Sequence, residues 1–146
     1  MTQSVPDFAK QYSNWLSQRL TTSVQEGIVE LSTPLLDPLN DGMRVFVERE
    51  NDNISLHDNG ITIETLSLMG VDTKTSERRQ ALIDEVMISF GVILKGDRLV
   101  IGANESNLPQ RMHFLLSAMQ RISDLWLTLR TATGQDFFER VCNYLD

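Results

Sequence analysis

The sequence contains few of the residues that most often build reactive sites. Its 146 residues include one cysteine, Cys142, and two histidines, His57 and His113. A single thiol cannot form a disulfide within the chain, so we expect a reducing, cytoplasmic compartment. A metal site or a catalytic triad would have to use one of the two histidines, and neither has a suitable set of partners nearby in the sequence. The sequence therefore indicates no catalytic residue, no metal ligand and no cofactor.

Long apolar segments are also absent from the sequence. No apolar run approaches the ~20 residues that span a bilayer, and residues 1–7 lack the basic flank and apolar stretch of a signal peptide. The glycine-containing segment 91–96 lacks the Lys-Ser or Lys-Thr ending of a phosphate-binding loop. These absences favour a chain that is neither exported by that route nor embedded in a membrane.

Positive charge is scarce where the chain is most acidic. The formal net charge is −7, and residues 26–72 hold ten acidic but only two basic residues. Such a segment would repel a phosphate backbone, since nucleic-acid binding depends on Lys and Arg releasing counterions. We therefore expect no direct binding to nucleic acid. The simplest interpretation of the acidic segment is a solvated surface that keeps the protein in solution.

What the sequence does contain is regular hydrophobic spacing. Apolar residues three or four apart predict helices, and alternating ones predict strands. Turn signals separate these segments, chiefly Asp58-Asn59-Gly60 and the two-residue Gly96-Asp97. We predict a single domain over 1–146, with helices at 5–21, 62–69, 76–90, 107–131 and 134–145, strands at 27–33, 43–50 and 53–58, and a hairpin at 91–102.

These elements predict an α+β fold. The three strands between 27 and 58 form an antiparallel meander, and the hairpin adds two more strands. We expect an antiparallel sheet of about five strands, packed with N-terminal, central and C-terminal helices. A chain of this length buries roughly 68% of its unfolded surface, so it needs no disulfide or structural metal.

The segment 34–42 is an unusual loop because it combines turn residues with leucines. Two prolines and a terminal Asn-Asp-Gly indicate a loop, yet three leucines lie within it. Either the leucines pack back over the sheet, or they form a tip that binds a partner. Together with nearby acids they give the predicted partner-binding residues, which are Leu35, Leu36, Asp37, Leu39, Asp41, Glu48, Glu50 and Asp52.

The helix expected at 107–131 carries more apolar surface than one contact with a sheet requires. Beyond its main stripe, a second set of apolar residues widens the face, which predicts cover on two sides. The helix expected at 134–145 is one candidate cover, and a second copy of the protein is the other. For a homodimer, the predicted interface residues are Phe114, Ala118 and Leu125.

The middle of the chain carries a recognisable set of features. They are the run 54–60 with its Asp-Asn-Gly turn, Gly70 after the short helix, and the junction Phe90-Gly91-Val92 followed by the apolar strand 99–101. With these features, residues from about 28 to 105 resemble an uncharacterised domain family of unknown function found in bacteria, prophages and phages. The resemblance implies a setting in mobile elements or the bacterial cytoplasm, and it transfers no catalytic residue.

The lack of a catalytic grouping favours a non-enzymatic protein-interaction module of phage, prophage or bacterial origin. Such a module would bind a host or phage protein, and a narrower version would inhibit or modulate a host protein complex through an acidic surface. The alternative is a metal-dependent hydrolase or nuclease that uses carboxylates of the first sheet. Glu48 and Glu50 share one strand face and could bind a divalent cation in that alternative, although solvated surface charge is the simpler interpretation of the pair.

Overall fold

The computed structural model describes residues 5–129. That range has four α-helices and one antiparallel sheet, so the predicted α+β class is confirmed. No helix within it combines the length and the apolar character needed to cross a membrane. In chain order the elements are α1 (Phe8–Arg19), β1 (Thr21–Gln25), β2 (Ile28–Leu36), β3 (Gly42–Glu50), β4 (Asn53–His57), α2 (Ile61–Leu68), α3 (Glu77–Phe90), β5 (Ile93–Lys95), β6 (Arg98–Ala103), α4 (Leu108–Ser123) and a 3₁₀ helix (Asp124–Leu129).

The sheet has six strands, so the predicted number of about five is wrong. The strand order is β1-β2-β3-β4-β6-β5, and every neighbouring pair is antiparallel. The strand missing from the prediction is β1, which falls partly within the helix expected at 5–21. That helix ends at Arg19, and Leu20 already has extended backbone angles. β-Branched residues then favour a strand, and Glu26 and Gly27 form a two-residue turn with φ of 53° and 79°.

The last described segment also differs from its prediction. A continuous helix was expected at 107–131, but α4 ends at Ser123 and a 3₁₀ helix follows. In this segment the Thr128 hydroxyl donates to the Leu125 carbonyl at 2.6 Å, and Arg79 of α3 donates to the Thr128 carbonyl at 3.2 Å. Side chains thus occupy carbonyl groups that a continuing α-helix would use. The helix expected at 134–145 lies outside the described residues.

The helices cover only part of the sheet. α4 lies against β3, β4 and β6, while α2 and α3 contact α4 from its other sides. β1 is exposed along its whole length, and α1 buries none of its residues. The main core is therefore built between α4 and the central strands, and its fully buried members include Val45, Leu56, Leu66, Leu99, Ile101, Leu115, Ala118 and Ile122.

A buried carboxylate joins three parts of this core. Asp58, at the end of β4, has no exposed surface. Its Oδ1 accepts from the backbone N–H groups of Gly60 and Leu99, both at 2.9 Å, and its Oδ2 accepts from the N–H of Thr62 at 3.0 Å. These bonds satisfy amides at the start of α2 and at the start of β6, since a buried carboxylate requires such partners. Asp58 thus has a structural role, and it fixes α2 against the sheet.

Candidate functional site

A surface cleft lies between the β2–β3 loop and the ends of α3 and α4. Its volume is about 740 Å³. The cleft brings together residues that are about 90 positions apart in the sequence, because β3 and α4 pack against each other in the core. Its walls are formed by Leu36, Asp37, Pro38, Asn40, Met43, Phe90, Ser117, Gln120, Arg121, Ser123, Asp124 and Trp126.

The loop on one side of the cleft is held in shape by Asp37. Its Oδ1 accepts from the N–H groups of Leu39 at 2.8 Å and Asp41 at 3.0 Å. Its backbone N–H donates to the Asp41 carbonyl at 2.8 Å, and its carbonyl accepts from Asn40 at 2.9 Å. A side chain that accepts from the following backbone is the usual way in which Asp stabilises a tight turn. The loop therefore presents its side chains in a defined arrangement.

The base of the loop is fixed by a close approach of two strands. The Thr33 hydroxyl donates to the Met43 carbonyl at 2.8 Å, and the pairing of β2 with β3 is irregular between Ser32 and Leu36. A Cβ atom at Gly42 would lie 2.9 Å from the Thr33 carbonyl oxygen, so only glycine fits there without a backbone shift. The loop is therefore anchored at both ends.

The three leucines predicted to bind a partner are divided by the structure. Leu35 is partly buried and packs on the core. Leu36 and Leu39 are 57% and 55% exposed. β2 continues to Leu36, so the loop is shorter than the expected 34–42. One of the three leucines thus packs on the domain, and the other two face solvent beside the cleft; that they bind a partner stays a prediction.

The opposite side of the cleft combines aromatic, cationic and acidic groups. The Arg121 guanidinium lies over the ring of Phe90, with its central carbon 5.0 Å from the ring centroid. Trp126 is partly buried, and Asp124 is exposed at the end of α4. With Asp37 on the loop, the cleft carries two carboxylates and one guanidinium around apolar surface. Such a surface is suited to an apolar segment flanked by positive charge.

The remaining predicted partner-binding residues lie at the other end of the sheet. Glu48 and Glu50 are near the end of β3, and Asp52 is in the following turn. β3 has nine residues, so Glu50 is roughly 26 Å from the β2–β3 loop along the strand. The predicted acids therefore form two separate groups and do not form one continuous surface with Asp37 and Asp41.

Glu48 takes part in a second polar arrangement, on the open face of the sheet. His57 is 4% exposed and stacks on Phe46, with ring centroids 5.6 Å apart. Its Nδ1 accepts from the Asn59 N–H at 3.0 Å, which places the ring proton on Nε2. Nε2 then donates to Oε2 of Glu48 at 3.0 Å. Both ring nitrogens are engaged, so His57 offers no free nitrogen to a metal or a substrate in this arrangement.

Two carboxylates of strands β2 and β3 have individual partners in the structure. Glu30 pairs with Arg44 at 3.0 Å, and Glu48 pairs with His57. Within residues 5–129, no three side chains of His, Cys, Asp or Glu come together as metal ligands would. Cys142 and the expected helix 134–145 lie outside that range. The convergence of carboxylates that a metal-dependent enzyme would need is thus not found in this part of the chain.

The residues predicted for a dimer interface lie within or beside the core of the single chain. Ala118 is fully buried and Leu125 is 7% exposed. Phe114 is partly buried beside Phe90, with ring centroids 6.2 Å apart. The broad apolar face of α4 is thus covered by the sheet on one side and by α2 and α3 on others. A homodimer stays a prediction, but Ala118 and Leu125 are not available to a second copy in this arrangement.

The cleft also contains residues that the sequence did not point to. Phe90, Arg121, Asp124 and Trp126 belong to helical segments that look like ordinary core or surface positions. Their common location depends on how α3 and α4 pack against β3, and no local signal in the sequence gives that arrangement. Of the predicted partner-binding residues, Leu36 and Asp37 line the cleft, so the leucine-containing loop and its acid were the sequence signal for this site.

Comparison with known families assigns the central part of the chain to a domain family. A model of the domain of unknown function DUF1828 matches residues 33–122. This match spans more than half of the chain, and the chain therefore belongs to that family. No curated protein and no solved structure shows significant similarity to it. The matched range contains the β2–β3 loop and nearly all of α4, whereas α1 and β1 lie before it.

Proposed function

We propose that the chain is a non-enzymatic protein-interaction module that binds a protein partner through this cleft. The observation that carries the proposal is the pair Leu36 and Leu39, which are more than half exposed on a loop fixed by Asp37 beside a cleft of about 740 Å³. Exposed apolar side chains that share one hydrogen-bonded loop beside a cleft form the kind of surface through which proteins bind partners.

The charges around the cleft indicate the chemistry of the partner. Asp37 and Asp124 line the cleft, and Asp41 is exposed on the same loop. A protein segment with apolar side chains and flanking Lys or Arg residues would satisfy both the leucines and the carboxylates. The proposed partner is a host or phage protein, and the acidic rim would allow the module to inhibit or modulate a complex that it joins.

The proposed setting is the cytoplasm of a bacterium, with a phage or prophage origin. It is supported by the resemblance of the middle block and by the single cysteine in the sequence. The alternative of a metal-dependent hydrolase or nuclease has less support, because residues 5–129 bring no three candidate ligands together. No specific feature of those residues favours a second function.

The test compares partner capture by the wild type and by a variant in which Leu36 and Leu39 are both replaced by Asp. Since both side chains are exposed, the double variant should fold normally, which circular dichroism and thermal unfolding can verify. The matched control is Leu68→Asp, at a 74% exposed leucine on α2. Each protein is used as bait in a bacterial lysate, and bound proteins are quantified by mass spectrometry.

We expect a defined set of proteins to bind the wild type and the Leu68→Asp control but to be reduced at least tenfold with the double variant. Binding should also weaken at high salt, because the acids contribute to it. Two results would reject the proposal: no protein whose capture depends on the loop leucines, or equal losses with the loop variant and the control.

A further inference from the structure

The N-terminal helix and strand form an arm, residues 5–25, that is almost uncovered. α1 has 12 residues and buries none of them, and β1 is exposed throughout. A helix of this length is marginal in water by itself, and most helices gain their stability from packing an apolar face. The arm also lies outside the residues matched by the family model. Among residues 5–129, α1 packs against little more than β2, so a further surface against its apolar side would stabilise the helix.

The exposed side chains of the arm are large and mostly lie on one stripe. Tyr12 and Trp15 stack with centroids 6.3 Å apart, and Arg19 lies 4.0 Å from the Trp15 ring. Full burial removes about 150–250 Å² per aromatic residue, and the three aromatic residues of the arm are 45–67% exposed, so they offer roughly 350 Å² together, to which the valines and the edge of β1 add. A standard interface uses about 800 Å² per partner. The exposed members are Val5 (81%), Phe8 (67%), Tyr12 (63%), Trp15 (45%) and Val24 (70%).

β1 is also an unprotected edge of the sheet as described over residues 5–129. It has five residues and carries no charge, no proline and no bulge, which are the usual devices that block pairing at an edge. The other edge, β5, has only three residues and ends in a lysine. The edge at β1 is therefore the one better suited to pair with another strand.

The turn after β1 determines which backbone groups of this edge are free. Gln25 pairs with Ile28 across the two-residue turn, so these residues exchange hydrogen bonds. The alternation of an antiparallel pair then directs the N–H and C=O of Ser23 towards β2 and those of Thr22 and Val24 away from it. An added antiparallel strand would bond to Thr22 and Val24.

We infer that the occupant of this edge is β1 of a second copy of the chain, in a two-fold dimer centred on Ser23. In that register Thr22 of each copy exchanges hydrogen bonds with Val24 of the other, so every free group at the centre is satisfied. Arg19, before the strand, comes near Glu26 of the second copy, after its strand. An uncharged centre with opposite charges at the two ends is complementary to itself.

The dimer also provides cover for α1, none of whose residues is buried by the part of the chain that the structure describes. Val24 lies on the same sheet face as Val29 and Leu31, its neighbours in β2, and α4 covers only the strands beyond them. In this register the first residues of the two β1 strands lie about 13 Å apart along the strands, so the two α1 helices end near each other and their aromatic stripes can pack across the two-fold axis. The dimer uses a surface separate from the cleft, so it does not depend on the proposed function.

Disulfide capture tests the register directly. Ser23 of the two copies would form a non-hydrogen-bonded pair with Cα atoms about 4.5 Å apart, which suits a disulfide. In a Cys142→Ser background, Ser23→Cys should cross-link under mild oxidation. The matched control, Gln25→Cys, places the two sulfurs about 13 Å apart along the strands and should not cross-link.

Light scattering tests the same surface without a new covalent bond. The wild type at about 100 µM should have twice the chain mass of 16.6 kDa, because a dimer with a dissociation constant of about 1 µM is almost fully formed at that concentration. Val24→Lys should reduce the mass to that of the monomer, whereas Ile93→Lys, at a 53% exposed residue on the other edge, should leave a dimer. Circular dichroism verifies that both variants fold.

Three outcomes would overturn the inference. One is a monomeric wild type at that concentration, which would mean that α1 is covered by another part of its own chain. Another is dissociation by Ile93→Lys and not by Val24→Lys. The third is equal cross-linking of Ser23→Cys and Gln25→Cys, which would show contact without the proposed register.

Discussion

The two halves of the sheet are stabilised in different ways. β3, β4 and β6 lie beneath α4, and residues such as Val45, Leu56 and Leu115 are fully buried there. β1 and α1 contain no buried residue at all. The family match at 33–122 follows the covered half. The comparison indicates that buried apolar contacts stabilise the covered half, whereas the N-terminal arm buries none of its own residues.

The largest expected effect is a loss of stability from a substitution in the core of the covered half. Leu115→Ala should reduce the free energy of unfolding by about 2–5 kcal/mol, because it removes buried methyl groups and leaves a cavity. Phe8→Ala, at a 67% exposed residue, should change it by less than about 0.5 kcal/mol when the chain is monomeric. Urea unfolding at low micromolar concentration measures both values.

Raising the protein concentration sharpens this prediction. A dimer contributes to stability by mass action, so the effect of Phe8→Ala should grow with concentration while that of Leu115→Ala stays constant. A loss above about 1 kcal/mol for Phe8→Ala in dilute solution would contradict the division into two halves, since it would require packing of α1 within one chain.

The next largest effect comes from Asp58, which joins elements of the covered half. Asp58→Ala should cost about 3 kcal/mol, because three buried N–H groups lose their acceptor. The control is Asp37→Ala, which removes a loop acceptor near solvent and should cost about 1 kcal/mol. Urea unfolding again measures the free energy of unfolding. Similar losses for both variants would show that burial does not make the Asp58 carboxylate more important for stability than the Asp37 carboxylate.

The smallest effect concerns Asp72, in the segment that leads into α3. The Thr75 hydroxyl and the N–H groups of Thr75 and Lys74 donate to its carboxylate and hold its pKa below the ordinary value of 3.8. A lowered pKa gives stability that is present above the ordinary value and is lost as the pH falls through the folded-state value. Asp72→Asn should therefore be less stable than the wild type near pH 7.

The difference between Asp72→Asn and the wild type should shrink as the pH falls below about 3.8, where the carboxylate of the unfolded chain is already protonated. Thermal unfolding at a series of pH values measures it. The control is Asp84→Asn, since Asp84 is exposed on α3. A difference that stays constant with pH would assign the loss to the amide side chain instead of to the charge.

Local signals made much of the covered half predictable from sequence. The Asp58-Asn59-Gly60 triplet and the Gly96-Asp97 turn require unusual backbone angles that few other residues adopt, so the elements beside them could be assigned. β1 could not be recognised in the same way. Leu16 and Leu20 continue the helical spacing of apolar residues up to the residue before β1. A strand of five residues is too short to show a clear alternation of apolar and polar residues that would outweigh this helical pattern.

The sequence predicted the loop side of the candidate site but not the helical side. The leucines of the loop are conspicuous between prolines, but Trp126 and Arg121 reach the cleft only through the packing of α4 on β3. The broad apolar face of α4 was ambiguous for a physical reason. Cover by helices of the same chain and cover by a second copy produce the same pattern of apolar residues, so the burial of Ala118 and Leu125 within the single chain could not be inferred from that pattern.

Asp58 and Leu99 are bonded across 41 positions of the chain, and that separation affects the order of folding. The turn after β4 can form early, because the bonds from Asp58 to the N–H groups of Gly60 and Thr62 are local. Until β6 pairs with β4, the Asp58 carboxylate is hydrogen-bonded to water in place of the Leu99 N–H. Loop-closure entropy must therefore be overcome before the last acceptor site is filled. The start of α2 and the β5–β6 hairpin should consequently become ordered together, as one cooperative unit.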